Sequence, residues 1–276
     1  MILELIDNAL REDIGDGDHS TLSCVPESAI GKAQLLIKED GVLAGIELAE
    51  IIFKRFDPSL QLEIFLKDGT AVKSGDIAFI VSGSSRSILT TERLVLNCMQ
   101  RMSGIATQTN KIVSCIEGCA TKLLDTRKTT PGIRILEKWA VRIGGGYNHR
   151  FGLFDMLMLK DNHIDYAGGI RPAIVRANDY LKSQKKNLKI EIEVRNLQEL
   201  NEVLQVGMVD RIMLDNFSPD EIRDALKIIP SQYETEASGG ITIETIRSYA
   251  ETGVQFISVG ALTHSAKSLD MSLKAI

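Results

Sequence analysis

The sequence lacks the features that mark a membrane, secreted or nucleic-acid-binding protein. No apolar run approaches the roughly 18 residues that a membrane-spanning helix needs, and residues 1–13 do not show the basic-then-apolar pattern of a secretory signal. Positive charge is not in excess either, because 32 Lys and Arg stand against 37 Asp and Glu, for a formal net charge of −5. A general nucleic-acid or membrane-surface binder is normally basic. We therefore expect a cytoplasmic protein with no nucleic-acid and no membrane partner.

Cysteine is also scarce. Cys24, Cys98, Cys115 and Cys119 contain no C-x-x-C pair and have no pair of histidines nearby in the sequence. This spacing is typical of reduced thiols in a cytoplasmic protein rather than of a disulfide framework or a metal site. Repeats and low-complexity segments are absent, and the 44% hydrophobic content suffices for one or two sizeable cores. Disordered and fibrous classes are therefore excluded.

The first part of the chain is predicted to form a small α+β domain. Short strand-like runs separated by turn residues surround a predicted helix over 46–56, and apolar spacing predicts another helix at the start of the chain. Apolar residues with a period of three to four then predict one long helix over 90–117. Such a helix makes a natural bridge between domains. We place the boundary near residue 108, which divides the chain into 1–108 and 109–276.

Strand and helix patterns alternate through the second part, which predicts parallel strands joined by crossover helices. Six strands are too few for the usual eight-stranded barrel. The pattern leaves either a smaller closed barrel or an open doubly wound sheet. The helices expected between strands include 197–206, 218–228 and 242–252. The predicted strands are 122–126, 156–160, 189–194, 211–216, 233–238 and 256–260.

Four cations are predicted at or near the carboxyl ends of these strands, where both architectures bind ligands. They are Arg127, Lys128, Arg150 and Lys160. Arginine matches carboxylates and phosphates through two parallel hydrogen bonds, and lysine supplies a compact charge. The sequence therefore predicts an anionic ligand.

Acids and glycines at the later strand ends extend this prediction. Glu193 and Asp215 are isolated acids that suit Mg²⁺, which commonly joins one or two carboxylates to substrate phosphates. The segment 238–240 and Gly260 expose backbone N–H groups ahead of predicted helices, as phosphate sites do. His149 could orient a carboxylate or transfer a proton near neutral pH. Together these residues predict a phosphorylated substrate, its Mg²⁺ and a second anion.

Three ordered motifs are more specific than the single residues. They are LDTRKTTPG (124–132), GGGYNHR (144–150) and LKDNH (159–163), with shorter ones at 92–93, 103–107 and 259–264. Through them the chain, over 12–269, resembles the quinolinate phosphoribosyltransferase family of NAD synthesis.

The resemblance implies a fold, an assembly and a reaction. The fold is a small N-terminal α+β domain followed by an incomplete α/β barrel of six to seven strands. The assembly is a homodimer in which the N-terminal domain lies over the partner's active site. The reaction joins quinolinate to phosphoribosyl pyrophosphate and releases pyrophosphate and CO₂ to leave nicotinate mononucleotide. Mg²⁺ accompanies the pyrophosphate, and no organic cofactor is expected.

The resemblance also implies roles for individual residues. Glu193 and Asp215 carry over as the acids beside the ribose and the metal, and Lys38 is the match for a basic residue that reaches the partner's site. Residues implied to act in catalysis are Arg127, Lys128, Lys160, Glu193 and Asp215. Those implied to bind quinolinate, or to lie beside it, are Arg93, Thr126, Arg127, Lys128, His149, Arg150 and Lys160. Those implied for the phosphate region are Ser238, Gly239, Gly240, Gly260 and Ala261.

Three alternatives remain open at this point. A Schiff-base aldolase would use Lys160 as its nucleophile, but it leaves the arginine cluster without a role. A pyrophosphorylase-like paralogue of molybdate-uptake operons would share the fold, although Arg127, Arg150 and Lys160 favour the quinolinate enzyme. A nucleotide-binding sensor or scaffold would show no turnover of the two substrates.

Overall fold

In the computed structural model of the protein, which describes residues Met1–Ile276, the chain forms eleven helices and twelve strands. The helices are α1 (Ile2–Ile14), α2 (His19–Cys24), α3 (Ile46–Phe56), α4 (Ser85–Cys115), α5 (Arg134–Ile143), α6 (Asp161–Ala167), α7 (Ile170–Ser183), α8 (Leu197–Val206), α9 (Pro219–Ile228), α10 (Ile246–Ala250) and α11 (Ala261–His264). The strands are β1 (Ile30–Ile37), β2 (Gly41–Val42), β3 (Gln61–Ile64), β4 (Ala71–Val72), β5 (Ile77–Ser84), β6 (Lys122–Leu124), β7 (Leu157–Leu159), β8 (Ile190–Val194), β9 (Arg211–Asp215), β10 (Glu234–Ser238), β11 (Phe256–Ser258) and β12 (Met271–Ala275).

Spatial proximity groups the residues into two compact units. Unit 1 consists of Met1–Lys111, Thr129–Gly145 and Ala261–Ile276, and unit 2 consists of Ile112–Lys128 and Gly146–Gly260. The chain therefore passes from one unit to the other four times. The division into domains 1–108 and 109–276 stays a prediction.

Unit 1 is built on a four-stranded antiparallel sheet in the order β12-β1-β5-β3. Alternate residues of β1 are buried, as expected for a sheet with one covered face. The predicted helix over 46–56 is confirmed as α3, and Phe53 on this helix packs edge-to-face on Phe79 of β5 with ring centroids 6.0 Å apart. These contacts lie in the core of unit 1.

Unit 2 is built on a six-stranded parallel sheet in the order β6-β11-β10-β9-β8-β7. All six predicted strands are confirmed, each within two residues at either end. The side chains of β8 are buried along its whole length, as in parallel strands that are covered on both faces. The predicted fold class, a small α+β region followed by an incomplete α/β barrel, is confirmed.

The helix predictions hold with changes at the ends. The long helix predicted over 90–117 is α4, which begins earlier, where Ser84 Oγ accepts a hydrogen bond from the backbone N–H of Ser87. The helix predicted over 242–252 is shorter, because Thr245 Oγ1 accepts from the backbone N–H of Thr242 and forms a turn before α10 begins. None of the helices combines the length and the apolar character that a membrane-spanning segment requires.

Candidate active site

The parallel sheet of unit 2 places most predicted site residues at one edge. Because its strands are all parallel, their carboxyl ends lie along the same side. Asp215 and Ser238 are the last residues of β9 and β10 and are paired in register. Lys160 directly follows β7, and residues 126–128 follow β6 after one intervening residue.

A cavity of about 300 Å³ lies among these residues, all of them in unit 2. This volume is at the lower end of the range for small-molecule sites. Met158 and Met213 contribute polarizable apolar surface of the kind that packs well against an aromatic ring. Seven predicted residues line it: Thr126, Arg127, Lys128, His149, Arg150, Lys160 and Ser238. The four other lining residues are Met158, Met213, Glu236 and Ser258.

Two arginines give the cavity its character as an anion site. The Nε atoms of Arg127 and Arg150 are buried and have no hydrogen-bond acceptor in the protein. Nη1 of Arg150 donates to the backbone oxygen of Met156 at 3.1 Å. Burial, and then the charge of Arg127, lower the pKa of Arg150. An anionic ligand would accept from these donors and relieve the repulsion between the two guanidinium groups.

Asp125 holds the segment that carries His149 and Arg150. Its side chain is fully buried, and Oδ1 accepts from the backbone N–H of His149 at 2.8 Å. The backbone N–H of Asp125 donates to Tyr147 O at 3.0 Å, and the N–H of Tyr147 donates to Leu123 O at 2.8 Å. The end of β6 therefore fixes the position of the segment that carries Arg150.

Lys160 and the two predicted acids form a second group. Nζ of Lys160 lies 3.3 Å from Oε2 of Glu193. Burial raises the pKa of Glu193 while the charge of Lys160 opposes the rise, and the nearby charge of Asp215 adds to it. Burial also raises the pKa of Asp215, again against the charge of Lys160. The ionised form of both carboxylates would be favoured by a further cation beside them.

Position 239 requires a glycine because the side chain of Asn216 lies directly beside it. A Cβ at Gly239, whose φ is 94°, would lie 2.2 Å from Oδ1 of Asn216. The backbone N–H of Asn216 donates to Ser238 O at 2.8 Å, and its Nδ2 donates to Oδ2 of Asp215 at 2.6 Å. The glycine therefore leaves room for the amide that orients Asp215.

A buried ionic cluster behind the cavity was missed by the sequence analysis. Nε2 of His149 lies 2.9 Å from Oε2 of Glu191 and 3.4 Å from Oε2 of Glu236. Arg211 Nη1 in turn lies 3.0 Å from Glu236 Oε2. Both glutamates are fully buried. The available signal was the presence of acids at alternate positions of strands that were expected to be buried on both faces.

The two glutamates influence the protonation of His149. Although burial disfavours an imidazolium, hydrogen bonds to Glu191 and Glu236 raise the pKa of His149 to about 9. The backbone N–H of Arg150 donates to Nδ1 of His149 at 2.7 Å, which opposes a proton on that nitrogen. Burial raises the pKa of Glu191. Because the pKa of His149 is raised in spite of the contact with the Arg150 N–H, we infer that the two carboxylates favour the imidazolium at neutral pH.

The remaining predicted residues lie outside the cavity lining. Glu193, Asp215, Gly239, Gly240 and Gly260 belong to unit 2, and Arg93, Lys38 and Ala261 belong to unit 1. Arg93 is exposed on α4, and Lys38 is exposed directly after β1.

Comparisons with known proteins cover nearly the whole chain. The sequence pattern described as "Quinolinate phosphoribosyl transferase, N-terminal domain" matches residues 18–103, and the corresponding C-terminal pattern matches residues 105–274. The chain is 48% identical over 285 residues to the chloroplastic nicotinate-nucleotide pyrophosphorylase [carboxylating] of Oryza sativa, covering 98% of this chain and 76% of the relative.

Bacterial relatives are similar over an even larger share of their own length. The probable nicotinate-nucleotide pyrophosphorylase [carboxylating] of Bacillus subtilis is 43% identical over 270 residues, covering 98% of this chain and 92% of the relative. The crystal structure of NadC from Streptococcus pyogenes superimposes with a TM-score of 0.92 at 42% identity, covering 98% of this chain and 94% of that one.

Proposed function

The chain belongs to the quinolinate phosphoribosyltransferase family, and on this basis we propose how its residues carry out the family's reaction. The protein transfers the phosphoribosyl group of phosphoribosyl pyrophosphate to quinolinate with decarboxylation. The products are nicotinate mononucleotide, pyrophosphate and CO₂, in de novo NAD synthesis.

Quinolinate binds in the cavity of unit 2. The observation that carries this assignment is the pair of buried Nε groups of Arg127 and Arg150, which have no acceptor in the protein. A dicarboxylate supplies acceptors for both guanidinium groups and reduces their mutual repulsion. Lys160 and Lys128 add positive charge, and Thr126 and His149 also line the cavity. Met158 and Met213 offer apolar surface to the pyridine ring.

The protein contributes positioning and charge rather than a nucleophile. The pyridine nitrogen of quinolinate attacks the ribose carbon that loses pyrophosphate, so no covalent intermediate with a side chain is required. Lys128 and Lys160 stabilise the departing negative charge, and Glu193 and Asp215 stabilise the positive charge that develops on the ribose. Once quaternised, the positively charged ring nitrogen stabilises the electron pair that stays on the adjacent ring carbon when CO₂ leaves, and a proton from solvent then takes the place of the carboxylate. No organic cofactor is needed for this step.

Glu193 and Asp215 are the residues that would hold Mg²⁺. Burial raises the pKa values of both carboxylates, so a cation beside them would favour their ionised forms. Mg²⁺ usually binds one or two carboxylates together with phosphate oxygens of the substrate, and these two acids fit that pattern. When bound, Mg²⁺ neutralises charge on the pyrophosphate that departs. Lys160, 3.3 Å from Glu193, balances part of the charge of the acids themselves.

Backbone groups bind the phosphates. Ser238 is the last residue of β10, and Gly239 and Gly240 follow it. Gly260 directly precedes α11, which begins at Ala261. Gly239 and Gly240 have φ values of 94° and 61°, which turn successive backbone N–H groups in a way that ordinary residues rarely allow.

The active site is completed by a second chain in a homodimer. Lys38 and Arg93 both belong to unit 1, and both are exposed cations that the family resemblance assigns to substrate binding. Nζ of Lys38 lies 3.5 Å from the half-exposed Asp270, a weak pair that can exchange for a stronger anion. Closure by a partner would also exclude water from the reactive ribosyl cation.

The cellular location is proposed to be the cytoplasm. The four cysteines form no disulfide bond, which agrees with a reducing compartment. The name of the rice relative includes the word chloroplastic, whereas the name of the Bacillus subtilis relative includes no organelle. Fractionation of the source cells tests this directly.

A turnover assay tests the assignment of the cavity. We expect nicotinate mononucleotide and CO₂ from quinolinate and no product from nicotinate, which lacks the second carboxylate. Arg127→Met should remove turnover while the far-ultraviolet circular dichroism stays unchanged. Turnover of nicotinate, or full activity of Arg127→Met, would show that the cavity does not select the dicarboxylate. The family assignment leaves the Schiff-base aldolase and the non-enzymatic sensor without support.

A further inference from the structure

Arg101 and Glu137 form a largely buried ion pair in unit 1. Arg101 lies on α4 and Glu137 on α5, and the glutamate side chain is fully buried. Nε and Nη2 of Arg101 donate to Oε1 of Glu137 at 3.0 and 2.7 Å. A buried ion pair of this kind is often no more stable than a well-packed apolar pair of similar volume. Stability alone therefore does not explain why the pair is present.

Glu137 fixes the far end of the loop that follows β6. Its Oε2 accepts from the backbone N–H of Thr130 at 3.0 Å, and its Oε1 accepts from the Thr130 hydroxyl at 2.9 Å. Nε of Arg134, also on α5, donates to the hydroxyl of Thr129 at 2.8 Å. Thr129 directly follows Lys128 in the chain. These contacts therefore limit the movement of the loop that presents Arg127 and Lys128, here called the carboxylate loop (126–130).

Arg101 fixes the far end of the segment that follows β11. Nη1 donates to the backbone oxygen of Ala266 at 2.9 Å, and Nη2 donates to the backbone oxygen of Thr263. Nε2 of Gln108, two turns further along α4, donates to Ala261 O at 2.9 Å. Ala261 directly follows Gly260. The same guanidinium therefore anchors the segment proposed to bind phosphate, here called the phosphate segment (260–266).

The two loops start from neighbouring strands. β6 and β11 are paired in parallel, with Leu123 opposite Ile257. The carboxylate loop and the phosphate segment thus leave adjacent strands at the same edge, and one ion pair holds both of them at their other ends. Each loop is proposed to bind a different substrate.

We propose that Arg101 and Glu137 are positioning residues that set the carboxylate loop and the phosphate segment relative to each other, so that the two bound substrates are aligned for reaction. This inference rests on the assignment of quinolinate to Arg127 and Lys128 and of phosphate to Gly260. Bond formation requires the ring nitrogen close to, and in line with, the ribose carbon, and a misplacement of about 1 Å can lower the rate about 100-fold. Neither residue of the pair needs to touch a substrate.

The main test is Glu137→Gln, which keeps the size of the side chain and removes the charge that holds Arg101. We expect kcat to fall about 10- to 100-fold. The dissociation constants of quinolinate alone and phosphoribosyl pyrophosphate alone should each stay within about threefold, because each ligand still meets its own loop. Thr130→Val is a milder second variant that leaves the ion pair intact and removes one hydrogen bond to the carboxylate loop. It should lower kcat by a smaller factor without a large change in Tm.

Two controls separate positioning from stability. Phe53→Leu weakens the core of unit 1 away from the pair and should keep the wild-type kcat at temperatures well below its Tm. The double variant Arg101→Met with Glu137→Met replaces the pair by apolar side chains. Glu137→Gln leaves the charge of Arg101 without its partner and should lower Tm. We expect the double variant to recover much of this loss while kcat stays low.

The outcomes are distinct. The proposal is overturned if kcat of Glu137→Gln and Thr130→Val equals that of the wild type, or if kcat recovers together with Tm in the double variant. It is also overturned if the variants lose affinity for one substrate alone in proportion to their loss of rate. If the wild-type protein itself forms no nicotinate mononucleotide, the proposed function fails, independently of the positioning pair.

Discussion

Replacement of Arg150 by methionine should weaken quinolinate binding and at the same time stabilise the empty protein. The guanidinium is half-buried beside Arg127, and burial together with that neighbouring charge lowers its pKa. Its Nε has no acceptor in the protein. The empty site therefore holds an unfavourable arrangement that becomes favourable when a dianion binds. Methionine keeps much of the volume and removes the charge.

The expected magnitudes follow from the contacts. A hydrogen bond to a charged group contributes about 1.5–3 kcal/mol, so the affinity for quinolinate should fall roughly 10- to 150-fold. Removal of strain from a functional site commonly adds about 0.5–2 kcal/mol to the free energy of unfolding. The lost hydrogen bond from Arg150 Nη1 to Met156 O subtracts about 1 kcal/mol from this gain. We therefore expect a net stabilisation of the empty protein of about 1 kcal/mol or less.

Three measurements check this prediction. Calorimetric titration with quinolinate should show the weakened affinity, while titration with phosphoribosyl pyrophosphate and Mg²⁺ should give the wild-type constant within about threefold. Urea unfolding without ligands should show the stabilisation. Arg223→Met is the matched control, because Arg223 is a half-exposed arginine of α9 paired only with the exposed Asp220. It should change neither affinity.

Two results would refute the reasoning. An equal loss of affinity for both ligands would mean that Arg150 does not belong to a carboxylate site. A fall in the unfolding free energy of Arg150→Met, larger than that of Arg223→Met, would mean that the two guanidinium groups do not strain the empty cavity.

Asp215→Asn should raise the Mg²⁺ concentration needed for binding of phosphoribosyl pyrophosphate, while the quinolinate affinity stays near the wild-type value, since one carboxylate charge of the proposed metal site is lost. The free energy of unfolding should fall by about 3 kcal/mol as the pH rises from 6.5 through about 9, because the folded pKa of His149 is raised and the stability gained from its proton is fully present only below the unfolded pKa. Lys38→Glu and Arg127→Ala chains should each be inactive alone, but a mixture should recover about one quarter of the wild-type activity per chain, because half of randomly assorted dimers carry one intact site.

Each of these predictions has a control and a contradicting result. Asp220→Asn removes an exposed carboxylate of α9 and should leave the Mg²⁺ requirement unchanged. If the Mg²⁺ titration of Asp215→Asn is unchanged as well, Asp215 does not bind the metal. In His149→Gln the free energy of unfolding should fall less as the pH rises. If it falls equally in the wild type and in this variant, a group other than His149 is responsible. Verified heterodimers that remain inactive would mean that Lys38 acts in its own chain or is not the residue that crosses over.

Local sequence patterns determined where the candidate site would lie. The alternation of strands with helices placed the carboxyl ends of six strands together, and Arg127, Lys160 and Asp215 follow from counting to those ends. Such patterns are visible in sequence because they depend on neighbours a few residues apart. For the same reason, the helix over 46–56 and the six parallel strands were predicted with nearly correct bounds.

Long-range pairing and the buried charges were decided by the tertiary structure. β12 was not predicted, because a five-residue strand at the end of the chain becomes a strand only by pairing with β1 near the beginning. Glu191, Glu236 and Arg211 also appeared to be ordinary strand residues, and only the fold brings them to His149. A buried charge is acceptable only where a partner meets it, and the partners here come from different strands and loops. The sequence by itself determines which side chains can carry the chemistry; the enclosure that shifts their pKa values, and the pairing of Arg101 with Glu137, arise only when segments far apart in the chain are packed together.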